Sequence, residues 1–263
     1  MKRILTIAGS DPGGGAGIQA DLKTIALLGG FGMSVITALT AQNTLGIQYV
    51  YPIPPQFIEK QMDSVISDIG LDAAKTGMLV DSKVIKAVVK KVKEYRITKL
   101  VVDPAMVAKG GQSLLSADAL NTFIDELMPL AFLITPNLPE ASAIWGRKVE
   151  NTGDMREAAK DIYKKGAKNV LIKGGHLPGR AIDILFDGKG FFEYESERIH
   201  TKNTHGTGCV YSSALAFEIA MDNGIHQAVK NAKNFVTGAI KNSLNLGKGY
   251  GPVNPYAALS KEA

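Results

Sequence analysis

Short strand-like runs alternate with segments of helical spacing along most of the chain, and this alternation constrains the fold more than any single motif. Residues 4–8, 73–76, 100–103, 131–134 and 169–172 read as strands, and 34–43 is β-rich. Between them, 18–28 has helical character. Ile58, Met62, Val65, Ile66 and Ile69 keep helical spacing behind Pro54 and Pro55, and Val84, Ile85, Val88, Val89 and Val92 repeat the pattern. Residues 208–222 and 225–242 read as two closing helices. Such alternation predicts an α/β fold, a mainly parallel central sheet covered by helices on both faces. Residues 182–186 and 191–194, joined by Asp187-Gly-Lys-Gly190, read as a small hairpin at the sheet edge. No linker or repeat divides the 263 residues, so a single domain spanning 1–263 is expected.

Composition excludes several classes. Hydrophobic residues make up 45% and charged residues 21%, enough for a sizeable core. The formal charge of +5 is spread over helix faces, as at Lys83, Lys86, Lys90, Lys91 and Lys93 beside Asp81 and Glu94. That is a solvated surface rather than a nucleic-acid footprint, and it suits small anionic substrates. The single cysteine excludes an internal disulfide framework. The apolar run after Met1-Lys-Arg is too brief for a signal peptide, and no run of about 18 apolar residues could span a membrane. A cytoplasmic protein is expected. The four histidines lack metal-site spacing, and the lone Trp145 reads as packing.

Three strands end in ionisable residues or lead into them: Asp103 after one, Thr135-Pro-Asn-Leu-Pro-Glu140 after the next, Lys173 after the third. Ligand sites of open α/β sheets gather at such strand ends. The stretch 201–209 adds a glycine turn, Gly206-Thr207-Gly208, opening directly into a small-residue helix. A helix start presents unpaired N–H groups and the positive end of the dipole, which favours phosphate. Cys209 falls in that first turn, where the same field favours thiolate; the plainer alternative is a small buried thiol. Together these supply what phosphoryl transfer needs: carboxylates for hydrated Mg²⁺, a cation for the phosphates and a group at the acceptor hydroxyl. The glycine-rich loop 9–17 is not a dinucleotide fingerprint. Counted from Gly13, Ile18 stands where the third glycine belongs, and no Walker sequence occurs. Asp11 and Asp21 flank this loop as ligand acceptors or as caps. Gln42 ends a strand, where its amide could meet a heteroaromatic ring or merely satisfy loop backbone. The loop 106–112, with paired glycines, could move over a substrate.

These residues, in this order, resemble one family. Gly9-Ser-Asp, residues 14–23, 37–44, 102–111 and 135–140, Lys173-Gly-Gly-His176 and Asn203-Thr-His-Gly-Thr-Gly-Cys209 are similar to the hydroxymethylpyrimidine and phosphomethylpyrimidine kinases of thiamine biosynthesis, within the ribokinase-like superfamily. The resemblance runs over almost the whole chain. It implies a homodimer that transfers the ATP γ-phosphate to a pyrimidine hydroxymethyl group, then phosphorylates the monophosphate, with ATP and Mg²⁺ as cofactors and neither nucleic acid nor membrane as partner.

The resemblance also implies site roles. Gln42 would hold the aminopyrimidine edge, with Gly9, Asp21, Met78 and Met106 lining the same pocket. Asp103 and Glu140 would organise Mg²⁺ through water, while Lys173, Thr204 and Lys233 would bind ATP. Gly206, Thr207, Gly208 and Cys209 would form the catalytic anion hole, with Cys209 as base or orienting group. Most ribokinase relatives carry aspartate where this family has cysteine. Two positions depart from the pattern: Pro12 stands for a common serine, and Val210 for a common threonine. The alternatives are a pyridoxal or pyridoxine kinase, or both activities, and a non-catalytic protein that binds a ligand or nucleic acid on the same fold.

Overall fold

The computed structural model describes residues 1–107, 114–116, 118–175, 177 and 179–258. Its centre is an eight-stranded sheet in the order β10-β9-β8-β7-β6-β5-β1-β2. The strands are β1 (Arg3–Ala8), β2 (Phe31–Ile36), β5 (Ala73–Thr76), β6 (Leu100–Val102), β7 (Leu133–Ile134), β8 (Val170–Ile172), β9 (Ala181–Phe186) and β10 (Phe191–Ser196). Pairing from β2 through β8 is parallel, and β9 and β10 add the expected antiparallel hairpin at the edge. Every parallel strand therefore ends on the same side of the sheet.

Strand alternation divides the core into two layers. Leu5, Ile7, Ala74, Leu100, Val102, Ile134 and Ile172 pack with α2 (Pro55–Asp68), α3 (Ser82–Glu94), α5 (Leu138–Trp145) and α6 (Thr152–Lys164). Ile4, Ala73, Val101, Leu133, Leu171 and Leu185 pack with α1 (Gly17–Leu27), α7 (Thr207–Ala220) and α8 (Ile225–Lys241). The helix ends follow local rules: Pro55 opens α2, the Asp81 carboxylate accepts from the Val84 N–H at 2.9 Å, and Asn137 and Glu140 form a capping box on α5. A short helix α4 (Ala119–Thr122) runs on through a π turn and a 3-10 turn to Leu130.

Two sequence expectations are corrected. The β-rich stretch 34–43 is not one strand. After Ile36 the chain leaves the sheet, and β3 (Ala38–Asn43) pairs antiparallel with β4 (Gly46–Pro52), with a register shift between Ala41 and Gln42. The strand expected over 131–134 shortens to Leu133–Ile134. The lid expectation at 106–112 falls mostly outside the described residues, as does His176.

The two glycine loops meet at the start of α7. Gly206 has φ 81°, and a Cβ there would overlap the Gly15 carbonyl oxygen. Substitution combines left-handed backbone strain with that overlap. Gly206→Ala is expected to cost at least about 2 kcal/mol, lowering Tm by roughly 4–8 °C in thermal denaturation; an unchanged Tm would contradict this packing.

Candidate active site

The site lies where β1, β5, β6, β7 and β8 end and α7 begins. Asp103 directly follows β6 and is 4% exposed. Its Oδ1 accepts from Lys173 Nζ at 2.9 Å and Thr135 Oγ1 at 3.2 Å, while among the described residues Oδ2 receives a single 3.4 Å contact, from Ser212. Lys173 directly follows β8, and its own N–H is held by the Pro136 carbonyl at 2.8 Å. Burial works against the Lys173 charge, but Asp103 and Glu140 outweigh it and raise the ammonium's pKa. Glu140 accepts from the Asn137 N–H at 2.9 Å and the Met106 N–H at 3.2 Å. Burial, opposed by Lys173 and reinforced by Asp103, pushes its carboxyl up.

The α7 turn closes against this pair. A Cβ at Gly208 would lie 3.4 Å from Asp103 Oδ2 and 3.7 Å from Lys173 Nζ, so the helix start packs within van der Waals reach of the charges. Thr204 turns the chain by accepting from the Thr207 hydroxyl at 2.8 Å and, at 3.3 Å, from its N–H. Among the described residues the N–H groups of Gly206, Gly208 and Cys209 have no backbone or side-chain oxygen acceptor, as first-turn donors do. The structure thus brings together Asp103, Glu140, Lys173, Thr204 and the 206–209 turn.

A second cluster adjoins it. Gly9 packs so closely on Met78 that a Cβ would overlap the methionine methyl. Gln42 Oε1 accepts from Thr40 Oγ1 at 3.3 Å, and its Nε2 lies 3.4 Å from His205 Nε2. His205, which precedes the anion turn, bonds Asp11 Oδ2 at 2.8 Å. Asp11 also collects the N–H groups of Gly13, Gly15 and Ala16 at 2.8–3.1 Å, so it organises the first loop as a cap. Burial works against its charge, yet His205 and these N–H groups hold its carboxyl below the usual value. Sequence reasoning gave His205 no role; its signals were its place in the 203–209 motif and its adjacency to Gly206.

Four of the expected site residues have surroundings that the sequence does not show. Asp21 is fully buried with its carboxylate engaged inside the protein: Lys75 Nζ binds both oxygens at 2.8–2.9 Å, and Thr6 and Ser213 donate at 2.6 and 2.8 Å. Met106 points into the core at 6% exposure. Lys233 directs its ammonium to Asp183 Oδ2 at 2.7 Å rather than to the strand-end cluster. Cys209 is half-buried, and burial pushes its thiol up to about 12, with Asp21 and Asp103 adding to the shift and Lys75 opposing it. Burial thus opposes the thiolate that the helix start favours.

A parallel sheet whose strand ends gather carboxylates and a lysine under a glycine-opened helix defines a ribokinase-like phosphotransferase. The profile described as phosphomethylpyrimidine kinase matches residues 11–254. The chain is 47% identical to the hydroxymethylpyrimidine/phosphomethylpyrimidine kinase of Bacillus subtilis, over 98% of this chain and 96% of that one. It is 51% identical to the thiamine biosynthesis bifunctional protein ThiED of Geobacter sulfurreducens, over 95% of this chain but only 51% of that protein's length. The structure also resembles the ADP complex of Bacillus subtilis pyridoxal kinase, with TM-score 0.92, 41% identity and 98% of each chain covered. The chain belongs to the phosphomethylpyrimidine kinase family.

Because Cys209 is the only cysteine, alkylation reports on it alone. A thiol near 12 predicts an iodoacetamide rate that climbs with pH without a plateau below pH 10 in the ligand-free protein. A plateau at or below pH 8.5 would contradict it.

Proposed function

We propose that the chain transfers the γ-phosphoryl group of Mg-ATP to the hydroxymethyl oxygen of 4-amino-5-hydroxymethyl-2-methylpyrimidine, and then phosphorylates the resulting monophosphate. The observation that carries this is the packing of the α7 start, where a Cβ at Gly208 would lie 3.4 Å from Asp103 Oδ2 and 3.7 Å from Lys173 Nζ. The residues fit a nucleotide with its cation. Asp103 Oδ2 keeps capacity beyond its long Ser212 contact, and two buried carboxylates face one lysine. Among the described residues no group of three metal-binding side chains occurs, so water and phosphate oxygens would complete a Mg²⁺ shell. Bound Mg²⁺ supplies charge neutralisation on the phosphates.

The chain's own residues then position and stabilise. The N–H groups of Gly206, Gly208 and Cys209 receive phosphoryl oxygens, and Lys173 counters their charge. The acceptor oxygen bonds to phosphorus as the bridging oxygen leaves with ADP; the hydroxyl proton departs late and ends on the phosphate product. A protonated thiol serves this as an orienting group for the hydroxymethyl oxygen, so Cys209 acts by placement rather than as a strong base. Gln42 presents its amide to the aminopyrimidine edge beside Gly9 and Met78.

The likeness to a pyridoxal kinase supports a second reading, phosphorylation of vitamin B6 compounds at the same site. We also read residues 1–263 as one domain and the protein as a homodimer. Leu39, Tyr49 and Tyr51 on the β3–β4 hairpin are 46–66% exposed and offer an apolar face for a second copy; sedimentation at the monomer mass would contradict the dimer.

A coupled assay with excess Mg-ATP and limiting pyrimidine should consume close to two ATP per pyrimidine, with little turnover of pyridoxal or pyridoxine. Preferential turnover of pyridoxal would select the second reading. Cys209→Ala should lose on the order of 10²-fold in kcat and still bind ATP, whereas Cys209→Ser keeps most activity by retaining a polar contact. Unchanged turnover in the alanine variant would dismiss any role for the thiol.

A further inference from the structure

Helix α7 carries the anion turn, yet its sequence does little to fix its rotation. Ten of its fourteen residues are buried, and most of these are small or apolar, with Tyr211 and Glu218 the larger polar ones. A helix apolar all round is driven into the core without a preferred face. Something else must aim its first turn.

Consecutive hydroxyls in its second turn bond to three buried carboxylates. Tyr211 donates to Asp183 Oδ2 at 3.1 Å, and Ser213 donates to Asp21 Oδ1 at 2.8 Å. Between them, Ser212 makes its 3.4 Å contact with Asp103 and also bonds back to the Gly208 carbonyl at 2.9 Å. Each carboxylate has its own lysine: Lys233 for Asp183 at 2.7 Å, Lys75 for Asp21 at 2.8 Å and Lys173 for Asp103 at 2.9 Å. Asp183 lies on β9 and Asp21 on α1, while Asp103 sits near the sheet centre. Residues 211 and 213 are about 200° apart around a helix, so their partners hold α7 from opposite sides.

The outer carboxylates are themselves fixed. Asp183 Oδ1 accepts the Gly174 N–H at 2.9 Å, one residue beyond Lys173, so the Tyr211 partner also anchors the lysine loop. Asp21 is held by Thr6 of β1 and Lys75 of β5. The three carboxylates that reach α7, Asp21, Asp103 and Asp183, are each paired with a lysine, and buried ionic contacts are best attested as register devices.

We infer that Tyr211 and Ser213 are positioning residues for phosphoryl transfer, holding α7 at the rotation and height that set the 206–209 N–H groups and Cys209 over Asp103 and Lys173. The inference rests on the phosphotransferase reading. Neither hydroxyl touches the reacting atoms; each acts through the helix.

The test uses Tyr211→Phe, Ser213→Ala and the double variant, with Ile219→Val in the far half of α7 as a packing control. Three quantities are read: Tm, kcat and KM for ATP and pyrimidine, and the iodoacetamide rate at Cys209. Misaiming the turn should lower kcat by roughly tenfold in each single variant and on the order of 10²-fold in the double, with both KM values within about twofold. The Cys209 alkylation rate should change by at least about threefold in the double variant, while Ile219→Val lowers Tm without moving either readout. Variants that lose Tm but keep wild-type kcat and alkylation would overturn the inference, leaving the bonds as stabilising contacts only. Equal losses in Ile219→Val would also overturn it. If the double variant does not fold, the single variants decide. A wild-type protein without turnover refutes the functional reading instead, and the alkylation rates still test the aim of the helix.

Discussion

The Asp103–Lys173 ion pair is the contact on which the site depends. Its members come from the ends of separate strands, 70 residues apart, and meet at 2.9 Å because the parallel sheet brings every strand end to one side. A buried pair of this kind has little surplus stability, since desolvation offsets attraction. Its value lies in holding opposite charges ready beside unpaired helix N–H groups. In the proposed reaction, phosphates would engage the lysine and the helix start while the carboxylate is freed toward a cation.

Around that pair the chain surrounds α7 with charge while keeping each charge balanced. Thr6, Lys75, Asp103 and Asp183 all alternate onto the sheet face covered by α1, α7 and α8, because each lies two residues from an apolar residue of that layer: Ile4, Ala73, Val101 and Leu185. The opposite face is almost wholly apolar. Polarity is thus concentrated under one helix. The same environment explains the Cys209 thiol: burial beside Asp21 and Asp103 prevails over the dipole of the helix start and over Lys75.

Much of this was legible in sequence because strand periodicity and strand-end residues are local signals. Asp103, Lys173 and the Gly206–Cys209 turn could be placed before any coordinates, since each follows or opens an element. Partners across the fold could not. Asp21 looked like a ligand because nothing local shows that Lys75, 54 residues away, claims it. His205 and Asp11 meet across 194 residues, and the sequence shows neither their bond nor its reach to Gln42. The departure of β3 from the sheet was hidden because 34–43 keeps β character throughout, with only Thr37 between the two strands. For Cys209 the sequence shows the helix start but not the desolvation that burial imposes.

The most direct measurement is a crystal structure with Mg²⁺, a non-hydrolysable ATP analogue and the pyrimidine alcohol. The account predicts γ-phosphate oxygens within about 3.2 Å of the Gly208 and Cys209 N–H groups, with Lys173 turned from Asp103 toward the phosphates. A γ-phosphate held elsewhere, with those N–H groups facing water and the Asp103–Lys173 pair intact, would contradict it.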